Sequence, residues 1–196
     1  MTDIEVGMAD DAQTDAGTYP RWGWALTGSG HFFTESIELI RELGAVDLFV
    51  SAAADEVLRM YRQSLPAGTR IFRETTASSV PVGRFYERLY HTLIVSPASS
   101  NTVAKCVYGI SDTLVTNCFA QAGKCRVHCI VFACDTAPEM ITTAPKGEVP
   151  VYPRRIDLEN TAKLKSFDDT AVVESVDELR AAVAARRLVL ARQGAA

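Results

Sequence analysis

The stretch Thr92–Gly109, TLIVSPASSNTVAKCVYG, decides the fold. Leu93, Ile94 and Val95 form a short apolar run that enters Ser96-Pro97-Ala98-Ser99-Ser100-Asn101-Thr102, after which a helical pattern starts. A continuous β-branched run of this length suits a strand buried on both faces. Pro97 is expected to end the strand, with Ser99, Asn101 and Thr102 opening a helix, since small hydroxyl and amide residues cap helix starts.

The same grammar recurs on both sides of this stretch. WGWAL ends in Thr27-Gly28-Ser29-Gly30, and Phe33, Ile37, Ile40 and Leu43 then recur at helical spacing up to Gly44, placed as a C-terminal stop. VDLFV leads into Ser51 and a helix carrying Val57, Leu58 and Tyr61. TRIFRET is a third strand, Phe85 to Leu89 a short helix, and VHCIVFA a fifth strand after a long helical pattern from Val103 to Ala122 that breaks near Gly109. A Pro-rich loop to Pro153, a helix near Leu158–Leu164, a strand at Ala171–Val173 and a helix from Asp177 to about Arg192 complete the chain. On that last helix Leu179, Val183, Leu188 and Leu190 are expected to cover the sheet, with Arg186 and Arg187 exposed. Buried strands alternating with amphipathic helices define an open, doubly wound α/β sheet with helices on both faces. In such sheets ligands lie at the carboxyl ends of strands where strand order reverses.

The 196 residues, 47% hydrophobic, suffice for one domain with its own core, expected over 19–196. Residues 1–18 carry five acids and no base and read as a mobile acidic arm. Net charge is −4 with no basic block, which disfavours nucleic acid, and no apolar run approaches the ~20 residues of a membrane span. No basic region followed by an apolar core marks an export signal, so a cytoplasmic protein with reduced thiols is expected. Cys125, Cys129 and Cys134 are spaced unlike zinc or iron–sulfur ligands, and no metal site is assigned. Cys125 and Cys129 are read as lying on one face of the fifth strand.

Three strand ends share one chemistry: Thr27-Gly28-Ser29-Gly30, Ser51-Ala52-Ala53 and Ser96 through Thr102. Small residues let backbone N–H groups approach a ligand, and helix starts add partial positive charge. The Lys of a GxxxxGK[ST] loop and the third glycine of a dinucleotide fingerprint are both missing. Each strand end alone reads as a strand-to-helix turn with an N-cap, and the three together favour a mononucleotide phosphate.

SPASSNT resembles the PASANT motif of the flavin-containing cysteine decarboxylase superfamily, and Gly109-Ile110-Ser111-Asp112-Thr113-Leu114 is similar to that superfamily's G-[IL]-x-D-[NT]-L segment. The resemblance covers about residues 21 to 140 and implies FMN on a flavodoxin-like, Rossmann-like sheet. It implies that Gly28, Ser29, Gly30 and Ser51, with Thr27, hold the phosphate end. Ser99, Asn101 and Thr102 would lie along the flavin, and Ser96, Pro97, Ala98 and Cys134 are further cofactor-binding candidates. It further implies homo-oligomers built from trimers, possibly larger cages, in which Asp112 approaches a neighbour's flavin.

The decarboxylases' catalytic His aligns with Gly83, and their Met-Asn clamp is replaced by Ala133-Cys134-Asp135-Thr136-Ala137-Pro138-Glu139-Met140. NTVAK, GISDTLVTN and PRRIDLEN are instead similar to the flavoprotein dihydromethanopterin reductases of one-carbon metabolism. That resemblance implies an FMN-dependent oxidoreductase passing hydride to a dihydropterin, fed by an unidentified electron donor. His31 and Asp135 are the candidate proton donors. The alternatives are a flavin prenyltransferase or decarboxylase relative, for which the Arg and Lys residues complete no prenyl-phosphate set, and a non-catalytic flavin-binding regulator.

Overall fold

The computed structural model describes residues 20–74, 79–144 and 146–194; the acidic arm expected over 1–18 lies outside them. Six parallel strands form one sheet in the order β3-β2-β1-β4-β5-β8: β1 (Arg21–Leu26), β2 (Val46–Val50), β3 (Arg70–Arg73), β4 (Tyr90–Ala98), β5 (His128–Ala133) and β8 (Thr170–Val173). This is the doubly wound fold, and strand order reverses between β1 and β4. All six residues of β1 are buried, because β1 is central and helices cover both faces. Trp24 packs at 0% exposure and Trp22 at 8%, so both tryptophans are core residues.

One face is covered by α1 (Phe33–Leu43), α2 (Ala52–Met60) and α7 (Val176–Gly194), whose Ile37, Ile40, Leu58 and Leu179 pack on Leu26, Leu48 and Ile130. The other is covered by α4 (Ser100–Tyr108) and α5 (Leu114–Lys124) through Val103, Val115, Cys118 and Phe119. The break expected near Gly109 is real: Gly109 closes α4 at φ 69°, a left-handed conformation suited to glycine.

Several expectations are corrected. β4 runs through Pro97 to Ala98, with its register to β5 shifting between Val95 and Ala98, so the proline lies inside an irregular strand end. The short helix is α3 (Ser79–Gly83), ahead of Phe85. Phe85 to Leu89 turns instead, because Phe85 is drawn fully into the core and Arg84 inward to Asp47 and Tyr90. Arg84 is therefore committed to the buried Arg21–Asp47–Tyr90 group at the amino ends of the strands.

Cys125 is the C-cap of α5, off the strand that holds Cys129. The Pro-rich loop contains an antiparallel hairpin, β6 (Met140–Ala144) and β7 (Gly147–Val151), ahead of α6 (Arg155–Leu164). On α7, Arg186 folds inward to donate to the Thr92 hydroxyl at 2.9 Å and the His91 carbonyl at 2.8 Å, while Leu188 is 62% exposed. Leu179, Val183, Arg186 and Leu190 lie at helical spacings that return to one face; Leu188 does not. No helix among the described residues is long and apolar enough to cross a membrane.

Candidate functional site

β1 and β4 are paired neighbours, and the chain leaves them for helices on opposite faces, α1 and α4, so a crevice opens at their carboxyl ends beside the Thr27 and Ser99 loops. A cavity of about 260 Å³ lies there. Thr27, Gly28, Ser51, Ser99, Asn101 and Thr102, all expected from the sequence, line it.

The loops are tied to one another. The Thr27 hydroxyl donates to the Pro97 carbonyl at 2.6 Å and accepts from the Ser99 N–H at 3.3 Å, which joins the ends of β1 and β4. Ser51 caps α2, its Oγ accepting from Ala54 N–H at 3.0 Å. Ser99 caps α4, its Oγ accepting from Thr102 N–H at 3.4 Å. Gly28 lies so close to α2 that a Cβ there would meet Ala53 Cβ at 2.4 Å and its backbone carbon at 2.9 Å. Only a residue without a side chain allows that approach of loop to helix start.

Other expected residues lie elsewhere. Ser96 is fully buried, its Oγ 2.8 Å from Ser36 Oγ on α1 and its carbonyl accepting from Trp24 Nε1 at 2.7 Å. It pins α1 to the sheet and does not line the cavity. Pro97 and Ala98 contribute main-chain carbonyls, to Thr27 and to Cys134 N–H. Asp112 pairs with Lys105 Nζ at 2.8 and 3.0 Å on an exposed turn, and that contact holds its carboxyl below the usual range.

Ser29, His31, Cys134 and Asp135 gather at the ends of β1 and β5, next to Gly30. The His31 carbonyl accepts from Ser29 Oγ at 3.4 Å and from Cys134 Sγ at 3.8 Å. Burial pushes the Cys134 thiol up to about 12, which makes it inert as a nucleophile. Burial also lowers the pKa of His31, opposed by the carboxylates of Asp135 and Glu35. His31 Nε2 is shielded from solvent and has no hydrogen-bond partner among the described residues. The next residue, Phe32, has φ 59°, a strained conformation for a bulky side chain, and its ring stacks on Phe132 at 4.5 Å.

Ala53, from the Ser51-Ala52-Ala53 strand end, also lines it, and four lining residues were given no site role by the sequence reading: Glu74, Lys105, Thr113 and Val115. Glu74 directly follows β3, so the rule that ligands gather at strand ends was a signal for it. Lys105, in the middle of α4, had none. A second cavity of about 280 Å³, lined by Phe119, Val127 and Phe167 among others, opens between α5 and the β5–β8 edge. None of the sequence-predicted site residues lines it.

The Flavoprotein family model matches residues 10–190, so the chain belongs to that family of proteins. Among individual proteins, it is 42% identical over 144 residues to a dihydromethanopterin reductase (acceptor) of Methanosarcina mazei, an alignment covering 65% of this chain and 60% of that protein. The chain thus spans about 60% of that relative's length. It is also similar to DmrB of Burkholderia xenovorans, solved in complex with FMN and described as a cubic protein cage for redox transfer. Identity there is 50% and the TM-score 0.80, covering 87% of this chain and 96% of that one. A phenylacrylic acid decarboxylase of Aquifex aeolicus, 23% identical with a TM-score of 0.62 over 79% of this chain and 81% of that one, shares the fold.

Proposed function

We propose that this protein is an FMN-dependent reductase that passes hydride to a dihydropterin, dihydromethanopterin in the first instance. The observation that carries the reading is the crevice at the β1–β4 reversal. It is walled by three small-residue loops in a chain half identical to an FMN-binding protein over nearly that protein's whole length.

The residues fit the cofactor. Gly28 and the Ser51 start of α2 form a cradle that a Cβ would fill, with the hydroxyls of Thr27, Ser51, Ser99 and Thr102 and the Asn101 amide lining the same cavity. Thr27, Gly28, Ser29, Gly30 and Ser51 hold the phosphate end in this reading, and Ser99, Asn101 and Thr102 line the path of the flavin. Bound there, reduced FMN supplies a hydride for the pterin's imine carbon, while the imine nitrogen takes up a proton.

His31 is the residue best suited to handle that proton. Its buried Nε2 lacks a protein partner, and Asp135 lies near enough to influence its charge. Protonated, the ring gives its proton to the imine nitrogen and is left as the neutral imidazole that burial favours, with Asp135 and Glu35 supporting the charged form in between. Burial and the strained Phe32 hold the ring in place.

The cavity lies just below the ~300 Å³ lower end of cofactor pockets, so one chain encloses part of a flavin nucleotide. The remainder is covered by a second copy in a homo-oligomer built from trimers. Tyr108 and Ile110, 58% and 48% exposed on the turn leading to Asp112, favour a protein contact there. The electron donor is a separate molecule.

The test is single-turnover kinetics. Photoreduced, FMN-loaded protein mixed with dihydromethanopterin should regain its oxidised flavin spectrum with saturable dependence on the pterin. Reoxidation no faster than in pterin-free buffer would remove the reductase reading.

A further inference from the structure

Among the described residues, Glu74 is the one acidic side chain lining the cavity assigned to the flavin. Its main chain is locked to the sheet, with its N–H donating to the Val50 carbonyl at 2.9 Å. Its carboxylate spans two helix starts that are distant in sequence. Oε2 accepts from Ala52 N–H at 2.8 Å at the beginning of α2, and Oε1 accepts from Leu114 N–H at 2.7 Å at the beginning of α5. First-turn amides have no acceptor within their own helix, and the helix dipole favours an anion beside them. The same two helix starts wall the cavity through Ser51, Ala53, Thr113 and Val115. The cavity's other charged lining residue, Lys105, is engaged with Asp112.

The strand order is that of dinucleotide-binding domains, in which the second nucleotide is read from the end of β2. Here the room beyond β2 is taken twice. Ala53 closes on Gly28, and the Glu74 carboxylate occupies the Ala52 and Leu114 amides, the free helix-start donors at this end of the cavity. A second phosphate in that position would also meet a like charge held in place by two hydrogen bonds. The geometry points to Glu74 as the residue that makes this a flavin monophosphate site: it closes the β3 end of the cavity and rejects FAD. This inference rests on the FMN reading above and adds to it a reason for the choice of flavin.

The experiment is a titration of flavin-stripped protein with FMN and with FAD, followed by flavin fluorescence, for the native chain, Glu74→Gln and Glu74→Ala. Thermal melts of each run alongside. The native chain is expected to prefer FMN strongly. Removing the carboxylate should narrow the ratio of FMN to FAD affinity by about tenfold or more, through tighter FAD binding, the signature of a lost repulsive element. Glu74→Gln keeps the shape without the charge and carries the test if Glu74→Ala melts below the assay temperature. An unchanged ratio in a folded variant overturns the proposal, as does a native chain that binds FAD as well as FMN. A native chain that binds neither flavin removes the FMN reading itself, and this inference with it.

Discussion

Gly28→Ala is the sharpest probe of the cradle. The new methyl group would stand 2.4 Å from Ala53 Cβ and within 3.0 Å of that residue's carbonyl oxygen. Ordinary carbon–carbon contact needs about 3.5–4.0 Å, so either the loop or the first turn of α2 must retreat by roughly 1 Å. Neither is a flexible side-chain end. Overpacking of this kind costs about 1–3 kcal/mol, which in a chain of this size lowers the melting temperature by about 2–12 °C. The same retreat moves backbone donors away from the phosphate end, and FMN affinity should fall by about 10–100-fold.

Gly123→Ala, on α5, is the matched control. A Cβ there meets nothing within 4 Å, and replacing a helical glycine stabilises by roughly 0.5–1 kcal/mol. In differential scanning fluorimetry the two one-methyl changes should therefore move the melting temperature in opposite directions, and FMN titration should weaken for Gly28→Ala alone. A Gly28→Ala protein that melts with the native chain and binds FMN within twofold of it would refute the cradle.

Further predictions follow from the same contacts. Thr27→Val leaves the Ser99 N–H and the Pro97 carbonyl without the hydroxyl between them, and should cost about 1–3 kcal/mol in urea unfolding as well as weakening FMN. His31→Asn should leave FMN binding within a few-fold of native while slowing single-turnover flavin reoxidation by about 10²–10⁴-fold, and equal rates would release His31 from the proton role. His91 predicts an acid-side loss of stability. Burial, reinforced by the Arg186 cation, lowers its pKa to about 4. The unfolded chain therefore takes the proton first as pH falls. Stability is unaffected above about pH 6.5 and declines between there and about pH 4. With this half-buried ring discounted for solvent screening, the loss is about 1–2 kcal/mol. The pH dependence of unfolding should flatten by that amount in His91→Gln, and identical curves would count against it.

How much of the site could be read in advance depends on the distance over which each residue acts. Ser51 and Ser99 cap helices three residues on, and that local chemistry is written in the chain. Ser96 looked the same by composition, yet it is consumed by Ser36, 60 residues earlier. The hairpin of β6 and β7 was hidden because Pro145 and Pro150 mask a pairing that only the returning strand reveals. Arg186 read as a surface cation, but the fold brings the first residues of β4 within its reach.

By itself, the sequence determined the alternation of buried strands with helices, the breaks at Gly44 and Gly109, and the small-residue loops after β1, β2 and β4. Periodicity and capping act within a turn or two, so a single chain displays them. Tertiary structure alone decided which loop residues face the crevice, that Glu74 joins the starts of α2 and α5, and that His31 and Asp135 share one corner. Those relations depend on strand order and on packing between segments 22 to 104 residues apart, which no local pattern encodes.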